Sequence, residues 1–228
     1  MNQDFFVTDS GWAVKYPGAK AGILVIENVE NETSNKKLDE RKVEVEEKLR
    51  KQFHGFSRED FNTVPTIDSY NKYYKNFGKT YHVRSQVESM VNGKSLSSAS
   101  TVLTAMFMAE VNNMLLTAGH DLDLLDLPVK IKIAAGDESF VDIRGATKTC
   151  VAGDMIMLDG GGVISSIILG PDSRTKITSA TKNVLFAVYA PADITEETMR
   201  THLEDMENSI KIFSPNSETK LIKVFEAR

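Results

Sequence analysis

The chain has 228 residues, 41% hydrophobic and 26% charged, with a net charge of −5 and a single cysteine, Cys150. That length can bury a substantial core, in one elaborated domain spanning residues 1–228, and the composition is that of an ordinary globular protein. One cysteine excludes an internal disulfide, no apolar run is long enough to cross a bilayer, and the acidic balance argues against a general nucleic-acid coat protein while leaving room for a focused basic patch. The opening MNQDFFVTDSGW lacks the basic-then-apolar pattern of a signal peptide, so a cytoplasmic protein is expected.

In chain order, Ala21 to Val29 is a compact apolar run and the first expected strand. Leu38 to Phe53 reads as a helix, with Val45, Leu49 and Phe53 on one face. Its Glu44–Lys48, Glu46–Arg50 and Glu47–Lys51 pairs read as a solvated face. Ser57 and Asp60 have capping-box spacing, and Pro65 suits the first turn of a helix that carries Ile67, Tyr70, Tyr74 and Phe77 inward and ends at Gly78. Lys79 to Val91 fits a strand or a helix. A long helix is expected from Ser98 to Thr117, its C-terminal half carrying Glu110, Asn112 and Asn113 amid otherwise apolar residues, and breaking at Ala118-Gly119.

Val129, Ile131 and Ile133 alternate with Lys130 and Lys132, the pattern of a half-buried strand. From Gly136 to Pro191, apolar runs at Phe140–Ile143, Met155–Leu158, Val163–Leu169 and Val184–Tyr189 alternate with Gly, Asp, Ser and Thr clusters. This stretch reads as the sheet core onto which the rest packs. Asp159-Gly160 marks a hairpin that Gly161 and Gly162 make either tight or bulged. Ile194 to Phe213 is an amphipathic helix and Lys220 to Phe225 a final edge strand.

Three groups of residues carry possible chemistry. His120-Asp121-Leu122-Asp123 puts a histidine beside two carboxylates, which suits a divalent cation or an acid/base pair. The same residues also suit a turn capped by Asp121, with one buried hydrogen bond from His120. The loop Gly170-Pro171-Asp172-Ser173-Arg174-Thr175 leaves an apolar strand with a carboxylate, a guanidinium and hydroxyls close together. It either presents polar groups to a small molecule or fixes a turn by an Asp–Arg pair. Gly160-Gly161-Gly162 lacks the context of a phosphate cradle and reads as a hairpin turn. No nucleophile elbow or Ser-His-Asp site is evident, so any hydrolysis would use an activated water.

Taken together, NNMLLTAGHDLDLL, IKIAAGDESFVDIRG, AGDMIMLDGG, SSIILGPDSRTKIT and TKNVLFAVYAP resemble the B3/4 domain, the editing domain of the phenylalanyl-tRNA synthetase β subunit, and most of all its free-standing relatives. The resemblance covers about residues 84–194. It implies an α+β fold with helices packed on an antiparallel β core, and hydrolysis of the ester of mischarged aminoacyl-tRNA. His120 and Asp172 would be the catalytic pair, with Asn113 (or Asn112), Arg174, Thr181 and Asn183 binding substrate. It implies no cofactor and no metal, and tRNA or aminoacyl-tRNA as partner, with neither DNA nor membrane. A non-catalytic tRNA or aminoacyl-nucleotide binding module and a small-molecule ester or amide hydrolase are the rival expectations. This sequence departs from the synthetase pattern: Asp172 stands where a glutamate is usual, and HDLD replaces a longer histidine motif.

Overall fold

The computed structural model describes residues 5–228. In chain order the elements are β1 (Phe6–Thr8), α1 (Ser10–Lys15), β2 (Lys20–Glu27), α2 (Lys36–Gln52), α3 (Arg58–Phe61), α4 (Pro65–Lys75), α5 (His82–Val91) and α6 (Thr101–Asn113). There follow β3 (Thr117–Asp121), β4 (Val129–Ile133), β5 (Ser139–Val141), β6 (Thr147–Thr149), β7 (Met155–Asp159), β8 (Gly162–Ser166), β9 (Gly170–Pro171), β10 (Val184–Ala190), α7 (Glu196–Phe213) and β11 (Glu218–Glu226).

The expected α+β class is what the chain adopts, but the stretch from Gly136 to Pro191 supplies only part of its centre: β10 comes from it and β2 does not. Strands β2 and β10, far apart in sequence, lie side by side with Ile23 opposite Ala187, and every residue of β10 is buried. Both are near-continuous apolar runs because both of their faces are covered. They form the middle of a four-stranded antiparallel sheet ordered β11-β2-β10-β3. Helices α6 and α7 cover one face, and α7 seats closely because Gly22 leaves room: a Cβ there would sit 3.0 Å from Met199 Cε. A second sheet, ordered β1-β4-β7-β8-β9, packs on the other face, tied to the first by the Tyr189 and Ser165 hydroxyls. It is antiparallel except for β1 beside β4, which run parallel. A separate hairpin pairs β5 with β6.

Several local expectations hold. Ser57 and Asp60 form a reciprocal capping box, Pro65 opens α4, and Ile67, Tyr70 and Tyr74 are buried. The Gly160-Gly161 turn closes a tight two-residue hairpin, and the register then slips between Met157 and Leu158, so the turn is both tight and bulged. Its glycines have steric causes. A Cβ on Gly160 would lie 2.1 Å from the Asp126 carboxylate, and one on Gly161 would lie 3.0 Å from the Arg174 guanidinium carbon.

The segment from Lys79 to Val91, open between strand and helix, is helical from His82. Other expectations are corrected. The long helix stops at Asn113, not Thr117: Ser100 caps its start, and Met114 turns into the left-handed region at φ 57°. A glycine usually marks such an end, and here a methionine in an apolar run hides it. The residues Thr117 to Asp121 therefore form a strand, and His120 sits on that strand and not at a helix terminus. The charged face of α2 is not wholly solvated either. Glu46 is buried, bonds Arg50 at 3.2 Å and accepts the Leu96 N–H at 2.8 Å, while Lys48 reaches Asn112 at 2.9 Å instead of Glu44.

Candidate functional site

A cleft of about 660 Å³ lies where the edge strand β3 of one sheet approaches the edge strand β9 of the other. That volume suits a small-molecule moiety. One wall is the stripe Leu103, Met106, Phe107 and Glu110 of α6, a spacing that places all four on one helical face. The opposite wall is the turn Ile167–Leu169 after β8, which Asp154 holds in place. Its carboxylate accepts the Ser166 hydroxyl and the Ile168 N–H, the latter at 3.3 Å, and Tyr73 donates to its other oxygen at 2.6 Å. Tyrosines of α4 brace the back: Tyr74 donates to the Ile167 carbonyl at 2.8 Å, and Tyr70 accepts the Leu116 N–H at 3.1 Å. Gly119 keeps the floor open, since a Cβ there would lie 2.7 Å from Ile177 and 2.9 Å from the Met106 sulfur.

Two buried carboxyls line this apolar cleft: Asp142, which is tied at the mouth to the Arg144 and Ala146 N–H groups, and Glu110 on the α6 wall. One Glu110 oxygen accepts the Thr117 N–H at 2.9 Å, and its other oxygen has no hydrogen-bond partner among the described residues. Burial pushes its pKa up to about 8, with the Thr117 bond opposing in part. A carboxyl poised there exchanges a proton near neutral pH. The mouth has the opposite character. Arg144, Lys148 and Lys176 reach it from two separate segments, and Arg144 and Lys176 have no carboxylate partner among the described residues. Lys148 lies 3.6 Å from Asp142.

The residues singled out by sequence lie mostly beside this cleft and not in its lining. His120 is fully buried, its Nδ1 bonded to the Thr175 hydroxyl at 2.7 Å, and its Nε2 has no partner among the described residues. Burial lowers its pKa to about 4, so the ring is neutral at pH 7. Thr175 donates in turn to the Asp172 carboxylate, which also accepts the N–H groups of Arg174 and Thr175. Arg174 grips Asp159 through two bonds of 3.0 and 2.6 Å. Arg174 thus ties its loop to β7, and its contact with Asp172 within the loop is longer, at 3.8 Å.

Thr181 donates to Asp121 at 2.5 Å, and Asn183 donates to both oxygens of Asp123 at 2.9 and 3.0 Å. The carboxylates of HDLD are thereby spent on separate partners, with Asp121 capping the turn that follows it. Asn113 stands apart from the others: it donates to Asp205 at 2.8 Å on α7, and Asn112 does so at 3.3 Å. Sequence reasoning missed Glu110 as a site residue. Its signal was a lone carboxylate in the apolar stripe of α6. Arg144, Lys148 and Lys176 gave no signal, because the fold assembles the mouth from distant segments.

No protein-family model and no curated protein matches the sequence. Among solved structures, an N-terminal fragment of the phenylalanyl-tRNA synthetase β subunit from Pyrococcus horikoshii superposes with a TM-score of 0.50 at 11% identity, over 94% of this chain and 49% of that one. This chain has the fold of that synthetase fragment. It spans about half of the fragment's length, and at this identity the likeness concerns architecture alone. No helix among the described residues is long and apolar enough to cross a membrane.

Proposed function

We propose that the cleft receives the aminoacyl end of a charged tRNA and hydrolyses its ester, so that the protein removes amino acids from mischarged tRNA in trans. The observation that carries this reading is the buried Glu110 carboxyl, with one oxygen unpartnered among the described residues, on the wall of an apolar cleft with unpaired cations at its mouth; burial raises its pKa to about 8. The apolar walls suit an amino-acid side chain, and Arg144 and Lys176 each suit a flanking phosphate. The architecture shared with a synthetase β-subunit fragment supports the same substrate class.

An aminoacyl ester is already activated, so the chemistry asked of the protein is modest. Ionised Glu110 takes a proton from a water whose oxygen bonds to the ester carbonyl carbon. The resulting tetrahedral oxyanion collapses, the bond to the ribose oxygen breaks, and Glu110 returns the proton to that oxygen. The products are a free amino acid and an uncharged tRNA. His120, Asp172, Thr181 and Asn183 act in this reading as positioning residues. The chain from His120 through Thr175 to Asp172 fastens the segment that presents Lys176 and Ile177 to the cleft. Arg174 fastens the same stretch to Asp159 of β7.

Binding without turnover is the second reading, favoured by one observation: the buried His120 and Asp172 bond to Thr175 and not to the cleft. A deacylation assay on charged tRNAs separates the two. Both readings share the basic mouth, which carries its own prediction. The double charge reversal Arg144→Glu, Lys176→Glu should weaken aminoacyl-tRNA binding by about 10-fold or more, and flatten the log–log salt dependence by about 1.4, the share of two phosphate contacts to a single strand. Equal affinity and an equal slope in filter binding at several salt concentrations would remove the mouth from the interface.

A further inference from the structure

We propose that His202, anchored by Asn113 and Asp205, positions Glu110 through Thr117. The kinetic part of this inference rests on the hydrolytic reading above; the geometric part does not. Three elements meet at the point concerned. Glu110 and Asn113 project from α6, Thr117 opens β3, and His202 and Asp205 come from α7. The Thr117 N–H is the one protein hydrogen bond that Glu110 receives among the described residues, at 2.9 Å. On the same residue, the Thr117 hydroxyl lies 2.8 Å from His202 Nε2 and 3.1 Å from the Leu115 carbonyl. The other ring nitrogen, Nδ1, lies 3.3 Å from the Asn113 amide nitrogen, which donates to Asp205 at 2.8 Å.

The polarity of this chain follows from its end. A carboxylate accepts only, so Asp205 fixes the Asn113 amide nitrogen as the donor. In the proposed tautomer, His202 Nδ1 accepts from Asn113 and the ring proton sits on Nε2, while the Ala109 carbonyl also faces the ring. Nε2–H donates to the Thr117 oxygen, and the Thr117 O–H goes on to the Leu115 carbonyl. Every group from Asp205 to Leu115 has one role, and Thr117 cannot turn without breaking a buried bond. The result is a backbone N–H held against one oxygen of Glu110 while the other oxygen stays free in the cleft.

His202 is fully buried, and its pKa is pushed down by burial to about 3, so the ring stays neutral and does not itself titrate in the working range. The other ionisable groups around Glu110 are the phenols of Tyr70, Tyr74 and Tyr81, all pushed up by burial, and along the cleft His82, Asp142, Arg144, Lys148, Lys176 and Tyr189. Around the far end of the chain stands Lys48, bonded to Asn112 at 2.9 Å. The substitutions below change none of these.

The test is a carbon-13 NMR titration of the Glu110 carboxyl in the full chain, for the wild type, Thr117→Val and His202→Gln, with nitrogen-15 shifts read for His202. Thr117→Val keeps the shape and the backbone N–H and removes only the hydroxyl. It should raise the Glu110 midpoint by about half a unit, because an unanchored N–H supports the anion less. His202→Gln, which restores a donor, should shift it less, and the wild-type ring should show its proton on Nε2. Where deacylation is measurable, its pH limb should follow the same order, with a loss of about threefold at pH 7 in Thr117→Val. An unmoved midpoint in both variants, with only the melting temperature lowered, would reduce His202 to a packing residue and overturn the inference. A wild type that titrates as described but hydrolyses nothing would instead defeat the hydrolytic reading and leave the positioning intact.

Discussion

Glu110→Gln is expected to slow deacylation by about 100-fold or more, the usual effect of removing a general base, while making the protein more stable in alkaline solution. The two effects have one origin. The folded state holds Glu110 at a pKa of about 8 against an ordinary 4.5, so it favours the neutral acid. Its contribution to stability is fully present below pH 4.5 and is lost as the pH rises through about 8, because the unfolded chain ionises freely and the folded one does not. Glutamine is neutral throughout and still accepts the Thr117 N–H. The variant should therefore match the wild type near pH 4 and exceed it at pH 9, by on the order of 5 kcal/mol. Thermal melts at the two pH values check the sign. A gain in stability joined to a loss of activity is the behaviour of a group kept for function at the expense of the fold.

Arg174→Ala is expected to destabilise the protein by on the order of 2 kcal/mol and to weaken substrate binding. The guanidinium makes two bonds to Asp159, a third to the Leu124 carbonyl at 3.2 Å, and lies over the Gly160-Gly161 turn. Removing one partner of a buried pair costs about 3–5 kcal/mol. Arg174 is 41% exposed at its side chain and Asp159 keeps the N–H groups of Asp126 and Gly161, which is why the smaller figure applies. Burial raises the Asp159 pKa, but Arg174 and those N–H groups outweigh it and hold it below the ordinary 3.8. Its stabilisation is present above that value and is lost as the pH falls through the lowered one. The gap between wild type and Arg174→Ala should accordingly be full at pH 7 and shrink on acidification below about pH 4. A gap independent of pH would mean that the loss is packing alone. The loop also carries Lys176 into the cleft mouth, so its release should raise KM more than it lowers kcat.

The strands β2, β4, β7 and β10 were legible because apolar runs bounded by turn residues carry their own boundaries, as were the capping box at Ser57 and the amphipathic α7. The end of α6 was not. From Thr101 to Leu116 the chain is apolar on nearly every side, so periodicity cannot show where helix gives way to strand. That single ambiguity propagated to the site. With His120 on a helix end, its ring could be imagined free; on β3, alternation decides its direction. Thr117 and Gly119 meet the helices there, and His120 is sealed against Thr175. Asn113 was singled out for substrate and instead bonds His202 and Asp205, two residues that no spacing rule connects to it. Glu110 was visible as the one acid in an apolar stripe, but only the fold shows that the stripe faces a cleft.

The most direct test of the account is single-turnover deacylation of a panel of correctly and incorrectly charged tRNAs between pH 6 and 9, with wild type and Glu110→Gln side by side. The wild type is expected to strip one class of mischarged tRNA, with a rate that rises through about pH 8, and Glu110→Gln to bind the same tRNA but leave its ester intact. Wild-type protein that hydrolyses none of the panel, or a Glu110→Gln variant that hydrolyses it as fast as the wild type, would contradict the account.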